Sequence, residues 1–94
     1  VLYASPISRE LLHDILRPLD GLGPERALQS VRTLLVYLAH EGSLVHAGRE
    51  LMLHPNGVGY RMRRIRELLG IDLADPDARF AVELACRVRL LGAG

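Results

Sequence analysis

Residues 54–65 read HPNGVGYRMRRI, and the spacing of their apolar members decides the fold. Val58, Met62 and Ile65, continued by Leu69, recur at i, i+4, i+7 and i+11, which is one buried stripe on a helix. Asn56, Tyr60, Arg63, Arg64 and Glu67 fall on the opposite side of the same helix. Pro55 suits the first helical position, because its missing N–H would be unpaired there in any case. Gly70 closes the segment, so a helix is predicted over 55–69. Immediately upstream, SLVHAGREL opens on a capping serine, Ser43, and reads as a shorter helix to about Leu51. Two helices joined by a tight turn, the second basic and polar on its outer side, are what a major-groove reader needs. The pair 43–69 is therefore predicted to be a helix-turn-helix, with 55–69 as its recognition helix.

The turn supports this reading in part. A close crossing of the two helices demands small residues in the first, and Ala47-Gly48 supplies them. Leu51 and Leu53 flank the turn, and Val58 starts the buried stripe of the second helix. Many such turns carry glycine between the two apolar positions; Met52 stands there instead, so this turn is a variant. An ordinary helical hairpin in a bundle would also show small residues and leucines. The bipartite pattern alone leaves both readings open.

Working outward, helix signals recur and strand signals do not. Ile7 to Leu16 is apolar at helical spacing and is expected to stop at Pro18, with a loop at Gly21, Gly23 and Pro24. Pro24 opens a long helix to about His40, with Leu28, Val31, Leu35 and Leu38 expected inward and Gly42 ending it in the left-handed conformation. After IDLA, Asp75-Pro76 repeats the cap-then-proline start for a last helix to about Leu91. Phe80, Leu84, Val88 and Leu91 are expected inward there. The fold class is all-α, with about five helices and the helix-turn-helix in the middle. No repeat or linker divides the chain, so residues 1–94 form one domain.

Ninety-four residues bury enough apolar surface for one core, and a hydrophobic content of 49% argues against disorder. A single cysteine, Cys86, forbids an internal disulfide and fits a reducing, cytoplasmic compartment. No apolar run reaches the roughly 18 to 20 residues of a membrane span, and no signal peptide opens the chain. Val1 is not an initiator methionine, so the chain is expected to be the C-terminal fragment of a longer protein. The net charge of +1 is unevenly spread. Residues 43–70 hold five arginines against two acids, and the rest of the chain holds seven against nine. A focused basic patch on a weakly charged body is an electrostatic footprint for phosphate, although a solvated helix face would give the same count.

Enzyme chemistry finds no foothold. His13, His40, His46 and His54 lack metal-ligand spacing, and Cys86 has no second cysteine beside it, so no metal is expected. Cys86 falls beside the stripe of the last helix and reads as a packing residue. Asp72, Asp75 and Asp77 cluster, but capping explains Asp75-Pro76 and the spacing is not that of an EF-hand. Neither a phosphate-binding glycine loop nor a nucleophile elbow is present, so no cofactor and no catalysis are expected.

The segments TLLVYLAHEGS (33–43), HPNGVGYRMRRI and GIDLADPDARFAVELACRVRLL (70–91) resemble the C-terminal domain of PucR-type regulators, a family of purine-catabolism activators and sugar-diacid regulators. The likeness runs from Leu16-Arg17-Pro18-Leu19 to Leu91 with its spacing intact. The family's recognition pattern, H-x-N-T-V-x-Y-R-L-x-R-I, is met by His54, Asn56, Val58, Tyr60, Arg61, Arg64 and Ile65, with Met62 for leucine. The resemblance implies a Fis-type helix-turn-helix and DNA binding. Two positions depart from the pattern. Gly57 replaces its threonine, losing a hydroxyl, and Gly59 adds a second glycine; each costs roughly 1 kcal/mol against alanine inside a helix. Lacking Cβ atoms, the helix start could in exchange approach a phosphate closely.

The candidate DNA-binding residues are Asn56, Gly57, Tyr60, Arg61, Arg63, Arg64, Arg49 and His54. Asn56 is placed to pair with an adenine edge. Tyr60 could reach a phosphate or a thymine methyl, and Arg63 and Arg64 a phosphate or a base. Arg61 could equally form a salt bridge to Glu50 or Glu41, Arg49 could touch the backbone from the first helix, and His54 reads more as a cap than as a base reader. Arg66 and Glu67 are expected to be only solvated. The partner is double-stranded DNA and not a membrane, with a homodimer formed through this domain or a preceding region. A helical protein-protein interaction module that has lost DNA binding is the alternative.

Overall fold

The computed structural model of the chain describes residues 9–93. Five α-helices follow one another: α1 (Arg9–Leu16), α2 (Pro24–Ala39), α3 (Leu44–Leu51), α4 (Pro55–Leu69) and α5 (Pro76–Ala93), with a 3-10 helix (Arg17–Leu22) between α1 and α2 and no strand among the described residues. The all-α expectation holds. α2 is the hub, packing against α5, α3, α4 and the 3-10 helix, while α1 pairs with α5 and α3 with α4. Leu16, Leu19, Val31, Leu34, Met62 and Ile65 are the largest of the fully buried side chains in the shared core.

The punctuation read from the sequence largely falls where expected. Pro24 lies in the first turn of α2, and Gly42 is left-handed at φ 83° behind its end. Asp75 Oδ1 accepts the Asp77 N–H at 3.2 Å, and Asp72 Oδ1 accepts the Ala74 N–H at 2.9 Å. Asp72 and Asp75 are thus spent on local backbone donors. Cys86 is wholly buried, and that burial pushes its thiol up to about 12, which keeps it neutral and unreactive.

The first helix ends at Leu16, just before Pro18 as expected, and its expected start at Ile7 lies outside the described residues. The stretch after it needs correction: a 3-10 helix runs through Gly21 to Leu22 where a loop was expected. Pro18 sits at the start of the 3-10 helix, where a missing N–H costs nothing, and the tightened turn delivers Leu19 into the core. In α2, Val31 and Leu38 are buried and Leu35 is half-buried, but Leu28 is exposed while Ala27, Leu34 and Val36 are buried. The hub is covered on several sides, so its buried arc is wider than one stripe. Thr33 lies inside that arc and donates its hydroxyl to the Gln29 carbonyl at 2.9 Å.

The largest correction concerns α5. Phe80 is 65% exposed and Leu91 82% exposed, with Leu84 and Val88 half-buried. The inward residues are Val82, Ala85 and Cys86. These are small, and small side chains let α5 approach α1 and α2 closely. Leu84 and Val88 still pack against the core from its margin, whereas Phe80 and Leu91 face outward.

Candidate nucleic-acid interface

The helix-turn-helix is built by α3, the turn 52–54 and α4. Ser43 caps α3, its hydroxyl accepting the His46 N–H at 3.2 Å. Ala47 is fully buried, and at Gly48 the two helices nearly touch. A Cβ there would lie 2.6 Å from the Leu53 carbonyl oxygen and 3.5 Å from Val58 Cγ2. The same closeness lets the Leu53 N–H donate to the Gly48 carbonyl at 2.8 Å. Met52 ends α3 in the left-handed conformation at φ 59° and is 91% exposed. A side chain in that conformation costs about 1 to 2 kcal/mol, which is why glycine usually stands at this point.

His54 then caps α4 from extended backbone, its Nδ1 accepting the Asn56 N–H at 3.1 Å. Accepting through Nδ1 puts the proton of the neutral ring on Nε2, a donor on an exposed side chain. Cap and donor are compatible in one imidazole.

Along α4, Val58, Met62 and Ile65 are buried and Leu69 half-buried, so the stripe read from the sequence faces the core. Asn56, Tyr60, Arg63, Arg64 and Glu67 are exposed on the opposite side, Tyr60 to 66%. Gly57 and Arg61 lie at the edge of that face and are half-buried. Arg61 lines a cleft with Glu25, Arg32, Glu50 and Met52. The ion pair to Glu50 or Glu41, one of the two readings of Arg61, is not formed among the described residues: Glu50 instead meets His40 Nε2 at 2.7 Å, which ties α3 to the end of α2. Arg49 is exposed on α3.

Arg66 corrects the expectation of mere solvation. Its guanidinium lies 5.2 Å from the centre of the Tyr37 ring and donates to the Tyr37 hydroxyl, joining α4 to α2. The two residues are 29 positions apart, so no local pattern announces the contact. The one available signal is the aromatic ring in an otherwise aliphatic stretch of α2.

Ion pairs claim three of the arginines outside this region and none within it among the described residues. Arg17 pairs with Asp14, Arg87 with Glu83 at 3.1 Å and Arg89 with Asp20 at 3.0 Å. No ion pair holds Arg49, Arg61, Arg63 or Arg64 among the described residues. Four guanidiniums thus keep their donors and charge for an outside acceptor, and carboxylates and phosphates are the groups they fit bidentately. Among the described residues, no group of His, Cys, Asp and Glu could hold a metal ion, and no helix is long and apolar enough to cross a membrane.

Comparison with known proteins agrees with this geometry. An uncharacterised protein of Mycobacterium tuberculosis is 35% identical over 75 residues, covering 80% of this chain and 17% of the relative. An uncharacterised protein from the pkwA 5′ region of Thermomonospora curvata is 39% identical over 79 residues, covering 83% of this chain and 43% of the relative. The purine catabolism regulatory protein of Bacillus subtilis is 36% identical over 61 residues, covering 65% of this chain and 12% of that protein. The chain therefore spans under half the length of each of these relatives. No solved structure matches it. The model of the PucR C-terminal helix-turn-helix domain matches residues 30–88, which take in α3, the turn and α4 whole, and the chain belongs to that family.

Proposed function

We propose that this chain is the sequence-specific, double-stranded-DNA-binding domain of a bacterial, cytoplasmic transcriptional regulator, with α4 in the major groove. The observation that carries the reading is the outward face of α4. It presents Asn56, Tyr60, Arg63 and Arg64 together, backed by a buried stripe and flanked by arginines with no internal ion-pair partner. A helix held rigidly on one side and left polar and cationic on the other can enter the groove without disturbing the core. Family membership and the name of the Bacillus subtilis relative support a role in regulating transcription.

In this reading Asn56 pairs with a base edge from the first turn of α4, and Arg63 and Arg64 neutralise phosphates or reach guanine. Tyr60 and Arg61 contact the strand on either side, and Arg49 holds the backbone from α3. Gly57, where an added Cβ would meet nothing within 4 Å, leaves the helix start bare for a phosphate. His54 donates to a neighbouring phosphate through Nε2 while its Nδ1 caps the helix.

Titration of labelled duplex DNA at several salt concentrations tests the proposal. Affinity should fall steeply with salt, log K against log salt sloping by about −0.9 for each phosphate neutralised. A flat slope, or no binding to any duplex at low salt, would leave the protein-contact alternative in its place.

A further inference from the structure

The pair formed by Tyr37 and Arg66 is left unused by the roles given to α4 so far. The Arg66 guanidinium lies 5.2 Å from the centre of the Tyr37 ring and donates to the phenol oxygen. In that bond the oxygen only accepts, so the O–H of Tyr37 remains a donor in its own right. Beside it, a Cβ at Gly42 would lie 3.4 Å from the hydroxyl oxygen, and the glycine leaves that side uncovered. Arg66 is exposed and has no ion-pair partner among the described residues. Tyr37 takes one of its five N–H donors, and the rest of the fork is available.

Tyr37, Gly42, Leu44, Arg63, Arg66 and Glu67 line one groove, where the end of α2 and the start of α3 meet the flank of α4. On that flank Gly59, Arg63 and Arg66 stand at i, i+4 and i+7. A Cβ at Gly59 would already lie 3.4 Å from Leu44 Cδ1, so the glycine keeps this part of the groove free of a further side chain. Two guanidiniums against the single carboxylate of Glu67 leave the lining with a net positive charge. Leu44 opens α3, whose positive dipole end therefore lies beside the groove. Arg63 also belongs to the outward face of α4, so groove and face are one continuous surface.

We propose that this groove seats a phosphate of the DNA strand bordering the major groove, with Arg66 binding its oxygens and Tyr37 acting as positioning residue and second donor. The proposal rests on the DNA-binding reading above and extends the contact to α2, outside the helix-turn-helix. A long arginine side chain ordinarily loses rotamer freedom when it binds; held on the Tyr37 ring, Arg66 has lost much of it beforehand. A planar fork with an adjacent hydroxyl matches the several acceptor oxygens of a phosphate better than a lone ammonium would.

Fluorescence anisotropy with two labelled duplexes of unrelated sequence, followed over a series of salt concentrations, is the test. Arg66→Ala should flatten the log–log salt slope by about 0.9, the share of one phosphate. The loss should be the same on both duplexes, because a phosphate contact carries no base information. Arg66→Gln, which removes the charge but keeps an amide donor, should read the same flattening if the alanine variant does not fold. Arg66→Lys should keep the slope and lose affinity together with the fork. Tyr37→Phe keeps the ring and removes the hydroxyl, so the slope should stay and affinity fall by about three- to tenfold. A wild-type slope in Arg66→Ala or Arg66→Gln overturns the proposal and leaves the pair a tie between α2 and α4, with the DNA-binding reading intact. Wild-type affinity in Tyr37→Phe overturns the part given to Tyr37. A wild-type chain that binds neither duplex at low salt removes the DNA-binding reading and this proposal with it.

Discussion

α4 and α5 are both long helices that begin at a proline and carry arginines, yet they turn opposite surfaces to the outside. α4 buries one clean stripe and shows Asn56, Tyr60, Arg63 and Arg64, its outward arginines free of internal ion pairs. α5 buries Val82, Ala85 and Cys86, neutralises Arg87 and Arg89 against Glu83 and Asp20, and shows Phe80 and Leu91. An arginine counts toward a nucleic-acid surface only where no carboxylate within the chain has already claimed it. α4 holds four arginines against one acid and α5 three against two; with Asp20 claiming Arg89 as well, α5 is neutral where α4 stays cationic.

The contrast breaks most completely if α4 is displaced. Gly48→Ala would drive a Cβ into the Leu53 carbonyl, an atom of the backbone that cannot swing aside. Overpacking of this kind costs about 1 to 3 kcal/mol and should lower the melting temperature by roughly 5 to 20 °C. Thermal denaturation followed by circular dichroism reads the effect, and an unchanged midpoint would mean that the helices do not cross so closely.

Asn56→Ala sharpens what the outward face of α4 does. A base-reading amide should cost about 1 to 3 kcal/mol on the specific site and little on random duplex. Equal losses on both would make Asn56 a backbone contact. The cap of α4 should survive the change, because it uses the Asn56 N–H and the His54 ring and not the Asn56 side chain.

A smaller effect compares the two helices directly. Arg63→Ala with Arg64→Ala should flatten the log–log salt slope by roughly 1 to 2 units, whereas Arg87→Ala should leave it unaltered. Equal flattening by both variants would erase the distinction between free and paired arginines.

The smallest effect is at Gly57. A new Cβ there meets nothing within 4 Å, so Gly57→Thr should stabilise the free domain by up to about 1 kcal/mol through the lost freedom of the unfolded chain. It should also tighten DNA binding if the added hydroxyl reaches a phosphate. Retained stability with binding abolished would show that the bare backbone was itself the contact.

How much of this was legible depended on how many sides of each helix are covered. α4 packs on one side only, so Val58, Met62 and Ile65 announced its orientation, while Ser43, Gly70 and Asp75 marked the ends through local hydrogen bonds and Pro55 through its missing N–H. The small pair Ala47-Gly48 gave the crossing in advance. α2 and α5 resisted the same method. α2 is wrapped, so Ala27 and Leu34 are buried along with Val31 and Leu38. In α5 two apolar arcs compete: Leu84 and Val88 do pack against the core, but its buried centre is Val82, Ala85 and Cys86, and Phe80 and Leu91 stay outside. Tyr37 with Arg66 and His40 with Glu50 were invisible because each pair lies on different helices.

The sequence by itself determined the helical class, the helix ends and the identity and inward face of α4, because periodicity and capping are properties of neighbouring residues. Family membership could be read from it for the same reason, since a motif is a local pattern. Only the tertiary structure decided which arc of α5 is buried, which arginines are already neutralised and which cross-helix contacts hold α4 in place. Those outcomes depend on what happens to lie opposite a residue across the core, and proximity in space is not written in the spacing along one helix.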